Sequence, residues 1–290
     1  MKIGRYAGTA AVTAALLAAT AVVAASAAPA DEAANGRQIA AKFGDAVVRV
    51  QLVLKVGMSY PGSSSPEKQE RKLEALGTVV DPSGLTVISY SMISPGESYP
   101  GSDEFKISSE VADVKIRLAD GKEIPAKVVL RDKDLDLAFI RPAKKPDTPM
   151  SALDLRDSAK PDVLDRLIVL ERLGKVANRT LTVCRAYVEG VVDKPRRFYV
   201  IGPGCAGTVG SPVLTEDGKA VGLLLIRSTP GGSGGSRGWD DMDMAPVVVP
   251  AEDIAAAAAQ APEKAPKEEK PAKLAKPTQP TKPTKPKTSR

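Results

Sequence analysis

Residues 77–94 read Gly77-Thr78-Val79-Val80-Asp81-Pro82-Ser83-Gly84-Leu85-Thr86-Val87-Ile88-Ser89-Tyr90-Ser91-Met92-Ile93-Ser94. Two runs of aliphatic and β-branched residues, 78–80 and 85–89, flank the turn signal Asp81-Pro82-Ser83-Gly84. Proline presets the backbone for a tight turn, and glycine tolerates the positive φ that closes one. The stretch is therefore strand, turn, strand. The same grammar recurs outward in both directions, at 46–56, 114–118, 127–130, 137–141, 166–170, 180–192, 197–201, 212–214, 220–226 and 245–249, with further turn signals at Asp120-Gly121 and Asp217-Gly218. About a dozen short strands at this spacing predict an all-β barrel or sandwich. Helical patterns are few: 36–43, the charged stretch 65–76 and the alanine-rich stretch 251–261. Three stretches, 57–77, 95–111 and 228–243, are expected as long loops.

The 290 residues allow one sizeable domain or two small ones, and 43% hydrophobic content suffices for a core. Aromatics make up only 4%, so that core must be built from Val, Leu, Ile and Ala. The amino terminus has the form of an export signal: Lys2 and Arg5, an apolar small-residue run, then A-x-A-like sites at Ala25-Ser26-Ala27 and Ala28-Pro29-Ala30. We assign 1–30 as a signal peptide and expect export to a periplasmic, cell-envelope or secreted location. An oxidising compartment would allow Cys184 and Cys205 to pair, although two buried thiols fit the spacing equally well.

The net charge of +6 is misplaced as a clue to the folded body. Residues 261–290 alone carry eight Lys and one Arg against three Glu, and the leader adds two positive charges, which leaves 31–260 at −2. The tail is rich in Lys, Pro, Ala and Thr, with Leu274 its one large apolar residue. Such a composition cannot offset the entropy of ordering, so we expect a disordered segment with polyproline II character. Lys264, Lys267, Lys270, Lys273, Lys276, Lys282 and Lys285 fall on a three-residue period. That period places them on one face of a polyproline II helix. The tail is either a solubilising spacer or an electrostatic tether to an anionic envelope polymer or membrane surface, with nucleic acid least favoured.

Three segments carry chemistry-bearing patterns. Residues 77–93, with glycines at 77 and 84 and aliphatic runs on both sides of the turn, resemble without matching at every position the form G-x-G-[FI]-[IV]-x-x-x-G-[YL]-[IV]-[LV]-T-N-x-H-V. Residues 132–141, Asp132-Lys133-Asp134-Leu135-Asp136-Leu137-Ala138-Phe139-Ile140-Arg141, match D-x-x-x-D-L-A-[VL]-[LI]-[KR] with Phe139 at the [VL] place. Residues 207–214, Gly207-Thr208-Val209-Gly210-Ser211-Pro212-Val213-Leu214, follow G-N-S-G-G-P-[LV]-[LV], and 218–223 follow as a turn and strand. In this order the segments resemble the Deg/HtrA branch of the trypsin-like serine proteases over roughly 37–255, with no PDZ-like segment after them. The resemblance implies two six-stranded β-barrels with a cleft between them. It places the triad positions at Ser91, Asp136 and Val209, and the oxyanion loop at Gly207, Thr208, Val209 and Gly210.

Only Asp136 keeps the family's residue. The chain contains no histidine, and a serine hydroxyl needs a base to attack a carbonyl near neutral pH. Val209 has no heteroatom, and Ser91 cannot serve as that base. Sliding the register to make Ser211 the nucleophile puts Pro212 where the pattern needs Gly and still supplies no base. Asp136 is then expected to be a buried carboxylate satisfied by backbone N–H groups or by the Ser91 hydroxyl. Val209 and Met92 would make the old catalytic centre apolar.

We expect no cofactor and no metal, since Asp240-Asp241-Met242-Asp243 lacks the Gly and Glu of a calcium loop. The favoured reading is a pseudoprotease, not an enzyme, that binds a peptide or protein ligand. One alternative is a structural or surface-attachment protein working through its tail. Another is an active serine-type endopeptidase with a non-standard site; a hydrolase could also draw its nucleophile from Thr or Cys, but Cys205, near the old oxyanion loop, would need an activator other than His.

Overall fold

The computed structural model describes residues 32–59, 67–95, 106–202, 208–228 and 244–263. Helix α1 (Glu32–Phe43) leads through a 3-10 turn (Gly44–Ala46) into the first six strands. These are β1 (Val47–Ser59), β2 (Glu67–Asp81), β3 (Leu85–Ser89), β4 (Lys106–Arg117), β5 (Glu123–Asp132) and β6 (Leu137–Pro142). They close in the order β1-β2-β3-β6-β5-β4. The second six are β7 (Arg166–Arg172), β8 (Leu181–Val192), β9 (Phe198–Ile201), β10 (Pro212–Thr215), β11 (Ala220–Ser228) and β12 (Met244–Pro250), closed as β10-β11-β12-β9-β8-β7. Helix α2 (Ala251–Ala258) follows directly. All named strand pairings are antiparallel. The expected pair of six-stranded barrels is therefore the fold.

Strand alternation sorts the aliphatic residues into three cores. Val48, Val50, Leu52, Val79, Ile88, Ile116, Ala138 and Ile140 fill the first barrel. Leu167, Val169, Val188, Tyr199, Val213, Val221, Leu224 and Val248 fill the second. The largest cluster lies between the barrels, where Leu85, Val87, Leu137 and Phe139 meet Ile168, Leu170, Leu214, Leu223, Leu225, Val247 and Val249. Every residue of β3 is buried because its two faces serve two cores. The run Leu137-Ala138-Phe139-Ile140 on β6 works the same way. Ile254 and Ala257 of α2 seal the central cluster, as do Ile39 and Phe43 of α1.

Three arginines fasten the barrels at one end of this joint. Arg172 on β7 donates from Nε to the Val47 carbonyl at 2.6 Å and from Nη2 to the Gly44 carbonyl at 2.7 Å. Arg49 on β1 donates in return to the Arg172 carbonyl at 3.3 Å. Arg179 crosses from the β7–β8 hairpin to the Glu74 carboxylate at 2.6 Å.

One expectation fails outright. Residues 65–76 were expected to be helical within a loop, yet from Glu67 onward they belong to β2. The segment's intrinsic preference is for helix, but β1 offers it a continuous partner from Val47↔Thr78 to Met58↔Glu67. Tertiary pairing outweighs local propensity of a few tenths of a kcal/mol per residue. The loops are correspondingly shorter than expected: β1 runs to Ser59, and β4 begins at Lys106 rather than near residue 114. Helix α1 starts one turn earlier than expected, at Glu32.

Candidate active site of a protease fold

The site forms where β3, β6, β10 and β11 converge at the barrel joint. Strand β3 delivers Ser89 and then a 3-10 turn, Tyr90–Met92, that carries Ser91. Asp136 sits just before β6 with φ 57°, a left-handed conformation that Asp tolerates better than most residues. Its carbonyl accepts the Tyr90 N–H at 2.8 Å, which pins this corner to the Ser91 turn.

The Asp136 carboxylate is buried. The Ser89 hydroxyl donates to Oδ2 at 2.6 Å, while the Ser91 hydroxyl and N–H donate to Oδ1 at 2.6 and 2.8 Å. The Ile226 N–H on β11, in the other barrel, also donates to it. Burial pushes the carboxyl above its ordinary range, and the donors from Ser89, Ser91 and Ile226 pull the other way without cancelling that rise. Asp136 is thus the satisfied buried carboxylate that the sequence led us to expect, with the Ser91 hydroxyl among its partners. Ser89 and Ile226 were not anticipated. Ser89 lies inside the first pattern, but nothing in the sequence distinguished it from a strand residue.

On the other side of the joint, Thr208, Val209 and Gly210 lie in the turn before β10. The Ser211 N–H donates to the Thr208 carbonyl at 3.0 Å and closes that turn. Gly210 has φ 98°, and a Cβ there would lie 2.4 Å from the Leu76 carbonyl oxygen, so only glycine fits. Its N–H donates to the Leu224 carbonyl at 2.7 Å, and its carbonyl accepts the Thr78 hydroxyl at 2.9 Å. The Thr208 hydroxyl donates to the Glu171 carboxylate. Leu76, Thr78 and Glu171 are thus part of the site although no pattern in the sequence marked them.

Val209 is half-buried and presents only methyl groups. The Ser211 side chain is fully buried and among the described residues its hydroxyl has no hydrogen-bond partner, so it does not face the cleft as a displaced nucleophile would. Met92, next to Ser91, is half-buried and packs on the core of the first barrel. Cys184 is disulfide-bonded, while Cys205, the other cysteine of the sequence, lies outside the described residues. So do Gly207, the leader 1–30, the acidic segment 240–243 and the seven tail lysines.

The fold and this constellation define a class. The chain belongs to the family of trypsin-like peptidase domains, whose model matches residues 75–223, just over half of its length. No curated protein sequence matches it. Among solved structures it is similar to the active form of the Rv3671c protease from M. tuberculosis. The two are 18% identical with a TM-score of 0.51, over 81% of this chain and 90% of that one. A Ser-to-Ala mutant of Rv3671c from M. tuberculosis H37Rv, in its inactive form, aligns at 17% identity and a TM-score of 0.48, over 80% of this chain and 93% of that one. At 18% identity the likeness to the active form shows the fold alone.

Proposed function

We propose that the chain is an exported pseudoprotease of the Deg/HtrA type that binds extended peptide or protein segments without cleaving them. The observation that carries this reading is the company of Asp136. Its carboxylate is held by Ser89, Ser91 and Ile226, where a triad would need an imidazole that no residue of this chain can supply. Val209 at the nucleophile position adds no attacking atom. A binding role draws support from β11. Its residues 225–228 pair with β12 on one side, while β10 stops at Leu223. Among the described residues no strand covers their other edge, which faces Asp136 through the Ile226 N–H. Such an edge can accept an added strand through backbone hydrogen bonds.

The test uses the mature chain with fluorescently labelled unfolded casein and a fluorophosphonate probe. Saturable binding, intact casein and no covalent labelling are expected. Cleavage, or stoichiometric labelling of any serine, overturns the reading.

A second reading, attachment through the basic tail, draws on how the tail leaves the body. Arg141 near the end of β6 donates to the Pro262 carbonyl at 3.0 Å and to the Ser83 hydroxyl at 2.7 Å. Strand β6 starts beside Asp136 and ends at Pro142, so the tail departs from the end of the first barrel remote from the site. Deleting 264–290 separates the readings: surface retention is lost if the tail attaches the protein, and casein binding survives if the cleft binds.

A further inference from the structure

Strands β1, β2 and β4 outrun the barrel they close. Strand β1 pairs with β2 as far as Met58↔Glu67 and with β4 as far as Ser59↔Lys106, whereas β2 meets β3 only from Thr78 onward. Among the described residues no strand lies along the outer edge of β2 before Thr78, and Lys68, Gln69, Glu70, Arg71 and Lys72 are all exposed. This is an open sheet edge, the feature through which one chain templates another.

We propose that this edge is a self-association surface, pairing antiparallel with the same edge of a second copy about a two-fold axis through Gln69. In that register Lys68 stands opposite Glu70 of the second copy, Glu70 opposite its Lys68, and Gln69 opposite itself. The next position outward sets Arg71 across from the register position of Glu67. Residues directly opposite on an antiparallel pair are close enough for their charges to attract or repel. Every pair in this register is therefore opposite in sign or neutral. Neighbouring registers are penalised: centring on Glu70 apposes Glu70 with itself and Lys68 with Lys72, and centring on Arg71 apposes two arginines. Charged edge residues usually deter strand addition; here their order deters slippage and leaves one alignment open. Antiparallel pairing about a residue-centred axis is isologous, so it closes as a dimer and not a fibre. The result is a six-stranded sheet, β4-β1-β2 joined to β2-β1-β4. Lys68 keeps its own-chain partner, donating to Glu110 at 3.1 Å with both side chains more than half exposed, so its ammonium remains accessible to a second carboxylate.

Sedimentation velocity over a concentration series at low and high salt tests this on the full chain. A monomer–dimer equilibrium weakened by salt is expected. Lys68→Glu alone and Glu70→Lys alone should each weaken it about tenfold, because each turns two attractive pairs into repulsive ones. Lys68→Glu combined with Glu70→Lys should restore it, since the signs are merely exchanged. Gln69→Cys should form a covalent dimer under mild oxidation, with Met58→Cys as the off-edge control that does not. A chain that stays monomeric, a dimer indifferent to the single reversals, or a double exchange that fails to recover overturns the proposal. Both positions are exposed, so circular dichroism of each variant separates lost pairing from lost folding.

Discussion

Asp136 has serine hydroxyls and backbone amides for partners, and the consequence is measurable. Its donors come from both barrels, so Asp136→Ala leaves Ser89, Ser91 and Ile226 groups short of an acceptor and puts alanine at positive φ. We expect a loss of about 3–5 kcal/mol in denaturant unfolding. Asp136→Asn should cost less, because asparagine accepts some of these bonds and tolerates the backbone. The pH dependence has a definite sign. The folded-state carboxyl titrates above its ordinary value, so its stabilising contribution is complete below about pH 4 and diminishes as pH rises through the raised value. The gap between wild type and Asp136→Asn should therefore narrow from acid toward neutral pH; a gap that widens contradicts the raised titration. At the same scale, Val209→Ser with Ser91→His should remain near background in casein hydrolysis. Thr208 is tied to Glu171 and Gly210 is pressed on Leu76, so the loop is held by contacts that those two changes leave intact. Adding Thr208→Asn and Ser211→Gly should raise activity more than either original change alone. Robust hydrolysis by the plain double variant would show an already competent loop.

Among the elements, the strand that serves two cores and the strand that leaves the barrel show what a sequence reveals. The runs at 85–89 and 137–141 were legible because alternation and turn residues are local signals, and they delivered Ser91 and Asp136 in the right order. The β2 arm was not legible: Glu67-Lys68-Gln69-Glu70-Arg71-Lys72 favours helix locally, and its strand state depends on pairing with β1. The joint was hidden for the same reason, since Thr78 finds the Gly210 carbonyl 132 residues away and Arg172 finds Val47 at a separation of 125. No periodicity marks such pairs. Arg172→Lys tests the joint. One ammonium cannot reproduce a planar fork that reaches the Val47, Gly44 and Arg179 carbonyls together. About 2–3 kcal/mol should be lost, read as a drop in Tm, while Phe139→Ala in the central core should cost about 3–5 kcal/mol. A Lys variant as stable as wild type would remove Arg172 from the account of how the barrels are fastened.

For the whole molecule, the body should stand without its tail, provided the clamp at its root survives. A chain ending at Glu263 keeps the Pro262 and Ala261 carbonyls on Arg141 and should melt within about 2 °C of the full length. A chain ending at Ala258 loses both contacts and should melt measurably lower. Equal melting of the two would make the clamp incidental. The position of α2 also sets a schedule. Ribosomes deliver the first barrel complete by Pro142, but the central core takes Val247, Val249, Ile254 and Ala257 from the last stretch of the body. The surface formed by Leu85, Val87, Leu137 and Phe139 must therefore wait, greasy and incompletely covered, while the whole second barrel is made. A nascent chain of this protein is thus a client for holding factors until nearly its final codons, and premature stops before α2 should be the most aggregation-prone of all its truncations.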